Sequence, residues 1–277
     1  MIWLFIALLV IAALFFLWLF AISPSSDCKE KFAPFKGVEF AHRGLHGDDV
    51  PENSPEAFRR AVDAGYGIEL DVHITADGKL VVFHDNDTSR MCGEKLLIEK
   101  SRYDELSPLR LAGTDEHIPL FSEVLDIVDG KVPLLVEIKT VSTETAPCLP
   151  VSETMKEYHG QWCMESFNPF AVRWFSRNRP DICRGQLSSK IPVIGHGLGG
   201  RISGFLLSNL LTNFLARPDF IAYDLNYRNN PSLTLCRKLL SAPVAVWTPR
   251  GDRERKLASD LGWYSAFIFE KNPLRQK

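Results

Sequence analysis

The 277-residue chain has no C-x-x-C pair and no zinc-like cysteine spacing; Cys28, Cys92, Cys148, Cys163, Cys183 and Cys236 fall singly. That excludes a zinc ribbon or a dithiol redox motif and leaves buried free thiols as the expectation. The chain also lacks a charge surplus, with 32 Lys and Arg against 34 Asp and Glu, for a net charge of -2. No basic face is therefore expected, and no nucleic-acid partner. Internal repeats and low-complexity tracts are missing as well, which excludes solenoids and long disordered arms. One further lack is local: residues 2–22 carry no charge and no strongly polar side chain.

At a rise of about 1.5 Å per residue, this 21-residue run can cross about 30 Å of hydrocarbon. It is longer than the apolar core of a leader peptide and lacks a basic start, and Pro24 follows its Ala21-Ile22-Ser23, which argues for an uncleaved anchor. No Lys or Arg precedes it, whereas Lys29, Lys31 and Lys36 follow. The positive-inside rule then expects a cell-membrane protein whose main domain faces the cytoplasm. Residues 23–36, with Pro24, Ser25, Ser26 and Pro34, read as a linker.

The remaining segment, 37–277, has close to the roughly 250 residues of a (β/α)8 barrel. Candidate strands are 38–41, 67–72, 133–138, 162–167, 182–187, 220–225, 244–247 and 266–269. Helical patterns at 55–64, 120–128, 152–158, 169–177, 203–215, 232–240 and 252–261 lie between most of them, and such alternation predicts a parallel sheet. The expected fold is an α/β TIM barrel with one N-terminal transmembrane helix. A polar, irregular stretch within 85–119 is too long for an ordinary βα connection and reads as a small insertion.

Chemistry concentrates between Val38 and Asp87. The first strand delivers His42 and Arg43 at its C-terminal end, and Ser54-Pro55 opens a helix as N-cap and first helical residue. In the second strand Glu69 and Asp71 share a face, and paired carboxylates of this kind suit a hard divalent cation, Mg2+ or Ca2+. With Asp77-Gly78 as a two-residue hairpin loop, Ala76 faces Lys79 and Asp71 comes opposite His84. Glu137 and Lys139 share a face at the end of the apolar run 134–138, where Glu137 can complete an acidic metal site. Two imidazoles able to move protons, an arginine able to grip an oxyanion and a metal suit phosphoryl chemistry. Gly195, Gly197 and Gly200 fit G-x-G-x-x-G with Asp219 beyond, but not in a first βα unit, so no dinucleotide is expected.

HRG at 42–44, PENS at 51–54 and ELDVHITADGKLVVFHD at 69–85 together resemble the glycerophosphodiester phosphodiesterase family, with Ser54 where the family has threonine. Glu137-Ile138-Lys139 and Ser166-Phe167 extend the resemblance. It implies Glu69, Asp71 and Glu137 as metal ligands, His42 and His84 as the acid/base pair, and Arg43 and Lys139 on the phosphate. Glu52 and Asn53 support them, and Trp247 touches substrate. The implied reaction is metal-dependent hydrolysis of glycerophosphodiesters to glycerol 3-phosphate and an alcohol, through a cyclic phosphate. Two alternatives stay open: a lysophospholipase D-like action on membrane lipid diesters, and a non-catalytic lipid-binding barrel. Pro249-Arg250 and Phe269-Glu270 before Pro273 depart from the family pattern, which leaves the grip on the glycerol or leaving group open.

Overall fold

The computed structural model describes residues 1–140, 144–191 and 197–270. Eight parallel strands close into a barrel: β1 (Glu39–His42), β2 (Gly67–Ile74), β4 (Leu134–Ile138), β5 (Trp162–Ser166), β6 (Arg184–Ser188), β7 (Phe220–Asp224), β8 (Val244–Arg250) and β9 (Ala266–Glu270). Closure comes from β1, which pairs with β2 on one side and with β9 on the other. The remaining strand, β3 (Leu80–Val82), is an antiparallel arm on the outer end of β2. Pro273, Gly195 and His196 lie outside the described residues.

Side chains at every second strand position fill the barrel, and their sizes explain how it packs. Near the N-terminal ends of the strands the rings of Phe40 and Phe220 occupy the interior. Small residues make room for them: a Cβ on Gly67 would come 2.8 Å from Phe40, and one on Gly185 would come 2.2 Å from Phe220. Leu135, Cys163, Leu187, Ala222, Ala245 and Ile268 complete this apolar layer. One step further towards the C-terminal ends, the inward positions become Glu69, Asp71, Glu137 and Glu165. The barrel thus has an apolar floor and an acidic upper layer, and this change of composition positions the site.

The floor is sealed by residues that read as linker. Cys28–Phe32 and Ala33–Phe35 are helical, and Phe32 and Phe35 are buried under the barrel, with Phe32 4.9 Å from the Phe220 ring. The helix Ile2–Ile22 is the one described helix long and apolar enough to cross a membrane. Its last turns pack on the barrel wall. Ile22 is fully buried, Trp18 Nε1 donates to Ser232 Oγ at 3.0 Å, and Asn213 Nδ2 and Cys236 Sγ donate to the Ile22 carbonyl.

Two expected features differ. The hairpin loop has three residues, Ala76 to Gly78, so Asp71 falls opposite Phe83 and not His84. Thr75 explains the slip: its Oγ1 donates to Asp77 Oδ1 and accepts from Lys79 N, while Gly78 adopts φ +78°, the left-handed residue that a three-residue loop requires. The helix expected at 203–215 divides into Gly197–Ser208 and Asn213–Ala216, broken where Leu210 takes φ +58°. Asp219, the acid of the G-x-G-x-x-G pattern, is held by Arg184 at 3.2 Å and by Ser25, a structural tie at the barrel floor.

Candidate active site

The first strand ends abruptly because Arg43 and Gly44 both take left-handed backbone, φ +56° and +79°. A side chain at Gly44 would meet the backbone of Ala57 at 2.9 Å, so the chain turns against the helix Pro55–Asp63. Ser54 caps that helix, accepting from Ala57 N. The turn aims the Arg43 amide at Glu69 Oε2, 2.9 Å away, and sets His42 Nε2 3.9 Å from the same oxygen. The loop returns through Asn53, itself at φ +54°, whose amide NH bonds the Arg43 carbonyl and whose Nδ2 donates to Asp71 Oδ2 at 2.8 Å. Glu52 holds the Arg43 guanidinium at 2.8 Å, and Arg43 Nε lies 3.6 Å from Asp71. The PENS segment is therefore a brace for Arg43 and Asp71.

Glu69, Asp71 and Glu137 are buried, and one ligand atom from each lies within 4.8 Å of the others. Lys139 joins them, its Nζ 2.8 Å from both Asp71 and Glu137. Burial drives all three carboxyls toward the neutral form, and their neighbours decide the outcome. For Glu69 the charges of Asp71 and Glu137 add to burial, and its pKa is well above the ordinary value. For Asp71 burial is outweighed by the charges of Lys139 and Arg43, with a contribution from the His84 imidazole when it is protonated, and the carboxyl is held ionised and low. Glu137 is pushed up to about 7, by burial first, with Asp71 adding and Lys139 opposing. Burial opposes the charge on Lys139, but Asp71 and Glu137 raise its pKa regardless. A convergent, buried, all-oxygen set with excess negative potential is what a small divalent cation requires, so the donor set fits Mg2+ or Ca2+.

The slipped hairpin still brings His84 to the site, because Phe83 N bonds the Asp71 carbonyl and carries the chain past the strand end. His84 Nδ1 contacts Asp85 at 2.6 Å. Its pKa is lowered, by burial first, against the pull of Asp71. His42 is lowered further, by burial and then by Arg43, with His84 contributing. Trp247 lies beside Phe167, their rings 5.8 Å apart and perpendicular, and its buried Nε1 has no hydrogen-bond partner among the described residues. Ser166 is structural, its hydroxyl donating to the Ile138 carbonyl.

Three residues here were not singled out in the sequence. Arg90, from the insertion, clamps Asp85 and Glu52, each at 2.6 Å. Asp85 orients His84. Glu165 sits beside Glu137 in register and is buried, with Oε2 lacking a hydrogen-bond partner among the described residues and a pKa raised by burial and then by Glu69. The alternation Cys163-x-Glu165-x-Phe167 puts Glu165 on the inward face, and it was the signal available for it.

A barrel whose strand ends gather two histidines, three carboxylates, an arginine and a lysine has the groups that hydrolysis of a phosphoric ester uses. Residues 42–266 match the model of the glycerophosphoryl diester phosphodiesterase family, and the chain belongs to that family; it is a phosphodiesterase. A glycerophosphodiester phosphodiesterase of Caldanaerobacter subterraneus is 32% identical over 55% of this chain and 67% of its own length. A lysophospholipase D of Rattus norvegicus is 33% identical, over 45% of this chain and only 42% of its own. Among solved structures, an Oleispira antarctica phosphodiesterase in complex with sn-glycerol-3-phosphate superposes with a TM-score of 0.67 at 23% identity, covering 86% of this chain and 94% of that one, a likeness of fold.

Proposed function

We propose that the protein hydrolyses glycerophosphodiesters to glycerol 3-phosphate and an alcohol, in a reaction that depends on a divalent cation. The observation that carries this reading is the placing of His42 and His84 around Glu69, Asp71 and Glu137, with Arg43 and Lys139 in the same cluster. A cation held by the three carboxylates would supply charge neutralisation at the phosphate oxygens. Arg43, braced by Glu52 and Asn53, binds a non-bridging oxygen, and Lys139 lies within reach of the same group. His42 and His84 form the acid/base pair: one imidazole takes the proton of the glycerol hydroxyl that attacks phosphorus, the other, protonated, gives its proton to the departing alcohol oxygen, and water then opens the cyclic phosphate; Asp85 fixes Nδ1 of His84. Trp247 offers an apolar wall with one N–H for the glycerol or the leaving group.

A second reading, cleavage of lysophospholipids at the headgroup side, is favoured by one observation. Helix Ile2–Ile22 is docked through Trp18 and Ile22 on the barrel, which supports an anchor that stays with the enzyme over a leader that is removed. On this reading the barrel is held at a membrane, and Lys29, Lys31 and Lys36 after the span favour the cytoplasmic side.

The test uses the full chain in detergent. Glycerol 3-phosphate release from glycerophosphocholine and choline release from lysophosphatidylcholine are measured with Mg2+, with Ca2+ and with EDTA, for wild type, His42→Ala and Glu69→Gln. We expect EDTA and Glu69→Gln to abolish release, and His42→Ala to lower kcat by about 10²–10⁴-fold. Folded protein that turns over neither substrate with either metal would sink the catalytic reading in favour of a lipid-binding barrel.

A further inference from the structure

The direction in which helix Ile2–Ile22 leaves the barrel can be read from two contacts. Helix Pro231–Lys238 follows β7, so its N-terminus lies at the barrel mouth and its C-terminus at the floor. Ile22 touches Cys236 on it, and Trp18 touches Ser232 one turn nearer the mouth. The two helices run parallel, and everything N-terminal to Trp18 projects beyond the mouth. Residues 2–17 make about 24 Å of helix. They are almost entirely exposed and apolar, and a bilayer thins locally to accept a span of that length.

A second helix lies at the same end. Ser208, the last residue of Gly197–Ser208, is tied to the mouth rim: its carbonyl accepts from Tyr223 Oη at 2.7 Å and Asn230 Nδ2 at 3.2 Å, and its hydroxyl accepts from Ile191 N. The helix thus reaches the rim with its C-terminal end, and its last turn, Phe205 and Leu206, comes beside the first helix. Between them runs an apolar groove of about 470 Å3, lined by Leu14, Leu17 and Trp18 on one side and Phe205, Leu206 and Leu211 on the other. On the outer face Leu198, Ile202 and Phe205, spaced four and three apart, are 73%, 49% and 62% exposed. Such a stripe in water would be costly, at about 25 cal/mol per Å2 of apolar surface. Arg201 is the only charged residue of this helix, and it is exposed, long enough to carry its guanidinium to a phosphate layer.

We propose that helix Gly197–Ser208 is embedded in lipid beside the anchor and that the mouth of the barrel faces the bilayer. The proposal rests on reading Ile2–Ile22 as a membrane span, and it names the hydrocarbon of the bilayer as the occupant of this face, since the face is continuous with that span at the same depth. It also assigns the source of substrate: a phosphodiester enters this mouth from the headgroup layer, with its acyl chain left among the two helices.

The test places one cysteine at a time in full-length protein carrying Cys92→Ser, the other five native cysteines being buried. Positions 9, 202, 205 and 239 are labelled with an environment-sensitive fluorophore in phosphatidylcholine nanodiscs doped with nitroxide-bearing phospholipid. Leu9 reports on the anchor, and Leu239 is exposed at the floor end of the barrel. We expect the labels at Leu9, Ile202 and Phe205 to be blue-shifted, quenched by the nitroxide and protected from aqueous iodide, and the label at Leu239 to behave oppositely. Labels at 202 and 205 that follow position 239 while position 9 is quenched would overturn the proposal and leave the anchor standing. A water-exposed label at position 9 would overturn both.

Discussion

His73 gives a prediction that can be worked through. It is buried, with its Nε2 3.4 Å from the His84 carbonyl and its Nδ1 without a partner among the described residues. Burial, and then the Lys139 charge, depress its pKa to about 4. The unfolded chain would hold the same imidazole near 6.5. The unfolded state thus binds the proton more readily, so stability present above pH 6.5 is lost as pH falls toward 4. At pH 5.5 the loss from this group alone is about 1.4 kcal/mol, approaching about 3 kcal/mol below pH 4. His73→Gln keeps a donor for the carbonyl and removes the titration. Melting temperatures of wild type and variant in detergent, at pH 7.5 and 5.5, isolate the effect as a difference of differences, since the remaining titrating groups are common to both. About 1.4 kcal/mol corresponds to roughly 3 °C for a chain of this size, so wild type should lose about 3 °C more than His73→Gln over that interval. Parallel losses in the two proteins would refute the argument that a buried neutral imidazole stands behind His84.

Three further substitutions follow from packing and the brace. Ile22→Ala should lower stability by about 2–5 kcal/mol, because Ile22 belongs to the barrel wall, and an unchanged melt in detergent would mean that the helix is a loose tether. Gly185→Ala should cost about 1–3 kcal/mol, read from the same melt, since its methyl would sit 2.2 Å from Phe220, whose ring is pinned by Phe32; a silent substitution would show that the floor yields. Asn53→Ala removes the amide that Asp71 accepts and places alanine at φ +54°; we expect about 1.5–3 kcal/mol of lost stability and a fall in kcat larger than any change in KM, in the diester assay. Equal effects on kcat and KM would remove the brace as an explanation.

Much of the site was legible because its residues are tied to periodicities that survive folding. Glu69 and Asp71 share a face of β2, and Glu137 comes level with Asp71 on β4. The Ser54-Pro55 cap formed as its chemistry dictates. The register of His84 was not legible, because Thr75 captures the turn: a hydroxyl that can bond both Asp77 and the Lys79 amide makes three loop residues better than two. Asn53 and Arg43 in left-handed backbone were equally hidden, since only the fold dictates those angles. Residues 23–36 have the composition of a linker, and nothing local says that Phe32 and Phe35 will find the open end of a barrel. Arg90 was obscured for another reason: it reaches Glu52 across 38 residues, a pairing that no short pattern encodes.

The contact between Trp18 and Ser232 spans 214 residues of chain. A ribosome adding about 5–20 residues per second needs roughly 10–40 s to make the second partner after the first. If the helix enters the bilayer as it is made, its last turns are solvated by lipid for that whole interval, and barrel closure must wait longer still, for β9 to reach β1. Assembly of this protein then ends with a displacement: the finished barrel wall strips lipid from Trp18 and Ile22 as it docks, and the membrane acts as a holding partner for the apolar surface that folding will claim last.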